Sequence, residues 1–107
     1  MDNRFLSMLG ICKKAGKISG GHDAAFESIS KGKAAACFLC ADASQRLREE
    51  FKRTTVYEDR NIPCIEIDCT MNDIWYAAKI RAAVFTVDDA GFAKKLMTLV
   101  DASNALS

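Results

Sequence analysis

Histidine, proline and tryptophan each occur once in these 107 residues, and the charges nearly cancel. A single histidine, His22, means that any acid–base chemistry through imidazole runs through that residue alone. The 15 Lys and Arg side chains against 14 Asp and Glu give a net charge of +1, which excludes a strong global pull on nucleic acid. Long apolar runs are also missing, because charge interrupts the longest of them within about ten residues, well short of a membrane span. The start, Met1-Asp2-Asn3-Arg4, leads into a helix with polar interruptions and not into the apolar core of a signal peptide. The expected compartment is therefore the cytoplasm, with no membrane partner. With 50% hydrophobic and 27% charged residues, the composition excludes disorder across the whole chain. The length suits one domain over 1–107, with a tail at 101–107 expected to fray.

Cysteine is the exception to this scarcity. Five cysteines, an odd number without a secretory signal, argue against a disulfide framework. Cys37 and Cys40 form a C-x-x-C, and Cys64 and Cys69 lie five apart, so a zinc or redox site has to be weighed against plain core packing. Ala35-Ala36-Cys37-Phe38-Leu39-Cys40-Ala41 reads as a buried strand, where residues three apart face opposite sides and the sulfurs diverge. Buried structural thiols are the expectation, with no metal and no cofactor.

Helical and strand periodicities alternate along the chain. Phe5, Met8, Leu9 and Cys12 mark one apolar helix face, opened by Asp2 or Asn3 as a cap and ended by Gly16. Lys17-Ile18-Ser19 is a short extended piece. Gly21 to Ser30 reads as a helix with Ala25, Phe26 and Ile29 inward, closed by Gly32. After the strand at 35–41, Asp42 or Ser44 caps a helix with Leu47, Phe51 and Thr55 inside. Its outer side carries Arg46, Arg48, Glu49, Lys52 and Arg53, a run read as wet surface. A loop around Asp59-Arg60-Asn61 leads to a strand at 62–67. Thr70 and Asp73 form a capping box for a helix from Ile74 to Ile80. A strand at 82–87 precedes a last helix capped by Asp88 or Asp89, with Phe92, Leu96, Leu99 and Val100 on its apolar face. Strands alternating with helices predict a three-layer sandwich whose central sheet is mostly parallel.

The stretch Lys13-Lys14-Ala15-Gly16-Lys17-Ile18-Ser19-Gly20-Gly21-His22-Asp23 is the richest in chemistry. Lysines lead to a glycine pair at a strand-to-helix turn, where free N–H groups and close backbone approach suit an anion. An ordinary tight turn with solvated lysines is the competing reading. The distribution of charge sharpens the choice. Residues 1–33 carry six cations against three anions, and the remainder nine against eleven. One basic end suits a local phosphate contact. A P-loop fails, because Ile18 stands where Ser or Thr must ligate magnesium and Ile11 where the leading glycine belongs. The glycines do not spell a dinucleotide fingerprint, and Asp88-Asp89 reads as a helix start, so no enzymatic role is expected.

The segments Leu9-Gly10, Lys14-Ala15-Gly16-Lys17, Gly21, Ile29 with Lys31-Gly32-Lys33-Ala34, Ala41-Asp42-Ala43-Ser44, Ile62-Pro63 and Asp89 to Leu96 occur in a familiar order. Together they resemble the bacterial YlxQ-like branch of the kink-turn RNA-binding ribosomal protein family, the L-seven-Ae/L-thirty-e type. The resemblance implies a three-layer α-β-α sandwich with a four-stranded mixed central sheet and an RNA-binding surface at the start of the second helix. It makes structured RNA the expected partner, on or near the ribosome. In the RNA-binding members a Gly-x-Asn-Glu-x-x-Lys pattern grips the RNA. Here Gly21 matches the glycine, Asp23 stands for the asparagine, Ala24 replaces the glutamate and Glu27 replaces the lysine. The family's second contact region, the turn before the last strand, corresponds to Lys79-Ile80-Arg81. The candidate RNA contacts are thus Lys14, Lys17, Gly20, Gly21, His22, Asp23, Lys33, Lys79, Ile80 and Arg81. Trp75 either stacks on a base or packs half-buried, and His22 either meets phosphate or is a bare surface histidine. Loss of two reading side chains also fits a protein-interaction module on the same scaffold.

Overall fold

The computed structural model describes residues 3–57 and 60–106. Asp2 as a cap, Asp59 in its loop and Ser107 of the tail lie outside the described residues. The elements run α1 (Asn3–Lys14), β1 (Ile18–Gly20), α2 (His22–Ser30), β2 (Ala36–Leu39), α3 (Gln45–Thr54), β3 (Cys64–Glu66), α4 (Met71–Ala78), β4 (Val84–Val87) and α5 (Ala90–Leu106). The strands form one sheet in the order β1-β4-β2-β3. Only β2 and β3 are parallel, whereas β4 runs antiparallel to both of its neighbours. The sheet is mixed, as the resemblance implied. A mostly parallel sheet, the expectation from alternation alone, does not form, because the crossover out of α4 delivers β4 between β1 and β2 in the reverse sense.

The sheet divides the core in two. On one face Phe5, Leu9 and Cys12 of α1, Ile74 and Ala78 of α4, and Ala93, Leu96 and Val100 of α5 pack on Phe38 and Phe85. The rings of Phe38 and Phe85 stack at 5.4 Å, and Phe5 meets Phe38 edge-on at 5.9 Å. On the other face Ala25 and Ile29 of α2 and Phe51 of α3 cover Cys37, Leu39 and Val84. Both β2 and β4 are buried along their whole length, as strands covered on two faces must be. Phe26 departs from expectation. Ala25, Ser28 and Ile29 form the inward face of α2, which turns Phe26 aside to 45% exposure.

Caps and turns settle the boundaries. Both α1 and α2 close in Schellman bonds, with Lys17 N–H donating to Cys12 O and Lys33 N–H to Ser28 O. Ser44 caps α3 by accepting from Leu47 N–H at 3.2 Å. Asp42 instead accepts from Met71 N–H at 3.0 Å, so it steadies α4. There the Thr70–Asp73 capping box is complete, at 3.2 and 2.9 Å. Of the acidic pair, Asp89 caps α5 through Phe92 N–H. Asp88 does something else: its carboxylate accepts from Ser19, Ser28 and Thr86, tying β1, α2 and β4 together. The last helix continues to Leu106, through most of the stretch expected to fray.

Candidate nucleic-acid interface

Register brings the glycine pair to one end of the sheet. Gly20, the last residue of β1, pairs with Phe85 at the start of β4, and Leu39, the last of β2, pairs with Val84. The entry to α2 and the turn from α4 to β4 therefore share that end. They also touch. Gly21 N–H donates to Val84 O at 2.9 Å, and a Cβ on Gly20 would lie 2.8 Å from Ile80 Cγ2. Gly21 caps α2 with φ 97° and ψ 164°, a backbone that only glycine adopts without strain, and no side chain caps it. The first turn of α2 consequently presents N–H groups outward.

Ile80 corrects one expectation. At 4% exposure it belongs to the core and holds the two segments together, with its side chain directed inward. Its neighbours face outward. Lys79 adopts a left-handed conformation, φ 58°, which terminates α4 and costs a non-glycine residue about 1–2 kcal/mol. Lys79 Nζ lies 5.4 Å from the Trp75 ring centre and Arg81 Cζ lies 4.4 Å from it, cation–π contacts that keep both charges at the surface. Lys14 joins them by a second route. It lines a cleft of about 570 Å³ between α1 and α4 together with Lys13 and Lys79.

Lys17 and Lys33 are placed elsewhere. Lys17 precedes β1, where its carbonyl accepts from Asp88 N–H, and Lys33 lines a cleft with Gly16, Lys31 and Asp88. These two cations sit at the opposite end of β1, about 10 Å away at strand spacing.

His22 is more than a bare surface histidine. Its Nδ1 lies 2.9 Å from Asp23 Oδ1 and its Nε2 2.7 Å from Glu50 Oε1, which links α2 to α3. Its ring meets Phe51 edge-on at 5.5 Å. The hydrogen bonds to Asp23 and then to Glu50 raise the imidazole above its ordinary pKa. Glu50 was not legible as a partner, since 28 residues separate it from His22 and no local periodicity connects them. Tyr76, beside Trp75 and 71% exposed, was likewise missed.

The cysteines separate as the strand reading required. Cys40 joins Phe38 on the α1 face while Cys37 joins Leu39 on the α2 face. Cys37 is paired in register with Cys64, whereas Cys69 lies in the cluster that holds Cys40. Burial pushes Cys12 and Cys69 up to about 11 and Cys40 to about 12, far from the thiolate that zinc or a nucleophile needs.

With this geometry, likeness to known proteins becomes specific. No family model matches the chain. Over 98 residues it is 29% identical to the RNA-binding protein YlxQ of Enterococcus faecium, an alignment spanning 92% of each chain. Among solved structures it resembles a Bacillus halodurans protein of unknown function, with TM-score 0.85, 23% identity and coverage of 94% and 99%. It also resembles the Giardia lamblia 15.5kD RNA-binding protein, with TM-score 0.69, 19% identity and coverage of 94% and 87%. The chain is a YlxQ-like member of the L-seven-Ae/L-thirty-e family. Against the family pattern, Asp23 is solvent-exposed at the mouth of α2, with its carboxylate turned to His22. Ala24 is exposed and carries no polar group, and Glu27 is engaged by Lys31 one turn on. Among the described residues no helix is long and apolar enough to cross a membrane.

Proposed function

We propose that this protein binds structured RNA in the cytoplasm, on or near the ribosome, as a single domain over 1–107 that works by binding and not by catalysis. The observation that carries the reading is the close approach of Gly20 and Ile80. It joins the open mouth of α2 to a turn that projects Lys79 and Arg81, so backbone N–H groups and two cations meet one surface. The left-handed strain at Lys79 adds support, because strained backbone concentrates at functional sites and glycine would serve a purely structural turn better. The RNA-binding names of the Enterococcus and Giardia relatives point the same way.

Kink-turn contacts are weakened in this reading. Ala24 and Glu27 offer neither the acceptor nor the cation of the family pattern, so backbone phosphate and RNA shape carry more of the binding. Gly20, Gly21, His22 and Asp23 border the strand, while Lys14, Lys79 and Arg81 supply charge. Lys17 and Lys33, at the far end of β1, take a smaller share.

The test is charge reversal. Lys79→Glu with Arg81→Glu weakens binding to a panel of structured bacterial RNAs by about tenfold or more, and the salt slope falls by about one unit for each phosphate no longer neutralised. Unchanged affinity in that double variant contradicts the surface assignment. A second reading, a protein-interaction module, draws on one observation: Phe26, Val56 and Tyr57 are exposed large hydrophobic residues on the α2–α3 side. A pull-down from RNase-treated lysate separates the two, since partners that survive RNase favour the module.

A further inference from the structure

The face of α4 that turns away from the core carries features that phosphate binding leaves unused. Ile74 and Ala78 bury themselves under the sheet, while Trp75 is half-buried and Tyr76 stands in solvent. Lys79 Nζ lies 5.4 Å from the Trp75 ring and 5.9 Å from the Tyr76 ring, so one ammonium bridges both. Arg81 lies over the Trp75 ring at 4.4 Å. Beside them opens a recess of about 470 Å³ lined by Asp42, Met71, Asn72, Trp75, Tyr76 and Arg81. It continues into the turn that meets Gly20 through Ile80.

We propose that Trp75, Tyr76 and Arg81 form a stacking seat for an unpaired nucleobase of the bound RNA. The inference rests on the RNA-binding reading and adds the class of nucleotide recognised. Three properties of the recess fit a base. Its walls are planar and polarisable, which suits a ring that stacks on aromatic and guanidinium planes. Its rim holds Asp42 and Asn72, which offer hydrogen bonds to a base edge. The carboxylate of Asp42 is already oriented by Met71 N–H. Its flank carries Lys79 and Arg81, placed to neutralise the phosphate attached to that nucleotide. A fully paired helix keeps its bases inside the stack, so it cannot fill the seat. The seat therefore selects RNA with a bulge or an open loop.

The chain has one tryptophan, and it lines the seat, so emission excited beyond the tyrosine band reports occupancy directly. The protein is titrated with an RNA hairpin bearing a three-adenosine bulge, and in parallel with the same hairpin fully paired. The bulged hairpin quenches Trp75 emission and binds more tightly, whereas the paired hairpin leaves the emission unchanged. Tyr76→Ala, at an exposed position, weakens the bulged hairpin about tenfold and leaves the paired one unaffected, while Tyr76→Phe restores binding. Equal affinity for both hairpins with unaltered emission overturns the seat and leaves the RNA-binding reading standing. Absence of binding to either RNA overturns both.

Discussion

The two ends of β1 carry the same kinds of residue in different employment. At its start, Lys17, Lys31 and Lys33 surround Asp88, whose carboxylate is engaged by the hydroxyls of Ser19, Ser28 and Thr86. At its finish, Gly20 and Gly21 open a helix mouth beside Lys79 and Arg81, whose cations rest on an aromatic ring. One end spends its polar groups on joining strands and helix. The other leaves backbone donors, charge and rings facing outward. Charge alone does not distinguish them, since both are lysine-rich; the satisfaction of the polar groups does.

Removing Asp88 breaks the comparison most severely. Asp88→Ala strands three hydroxyls, two of them on the buried Ser28 and Thr86, and lowers stability by about 2–4 kcal/mol, read from urea unfolding. Next comes the charge contrast. Lys79→Glu with Arg81→Glu weakens RNA binding about tenfold or more, while Lys17→Glu with Lys33→Glu weakens it only about two- to threefold in the same filter-binding assay. Lys79→Gly sharpens the comparison further. Relief of the left-handed strain raises stability by about 0.5–1 kcal/mol, yet removal of the cation reduces RNA affinity.

The smallest effect concerns His22. Its pKa is raised in the folded state, so the contribution of its contacts to stability is present below the ordinary imidazole range. That contribution is lost as pH rises through the higher folded value. The side chain is half exposed, so solvent screening keeps the stability change small and an NMR titration is the better readout. Glu50→Gln moves the His22 midpoint down toward the ordinary value, and an unmoved midpoint excludes the Glu50 contact.

Much of this architecture was legible in the sequence. Apolar periodicity located the five described helices, and the lack of polar alternation at 35–41 predicted a strand buried on both faces. Local chemistry at Gly16, Gly32, Thr70 and Asp73 marked their turns and cap. Strand direction was not legible. Alternation of strand and helix says nothing about which strand lies between which, and β4 entered antiparallel in the centre. The same limit applied to the site. Gly21 and Arg81 could be nominated singly, but only register joins Gly20 to Ile80 and separates both from Lys33. Ile80 looked like an RNA contact because it lies between two cations, and only packing reveals that it faces the core. Asp88 and Asp89 looked interchangeable as caps, and their division of labour depends on hydroxyls contributed from β1 and α2.

Amide chemical shifts followed while a bulged RNA hairpin is added give the most direct measurement of where RNA sits. The account predicts the largest perturbations at 20–23 and 79–81, spreading to Trp75 and Tyr76. Perturbations concentrated at Gly16, Lys31 and Lys33, around the satisfied carboxylate of Asp88, contradict it.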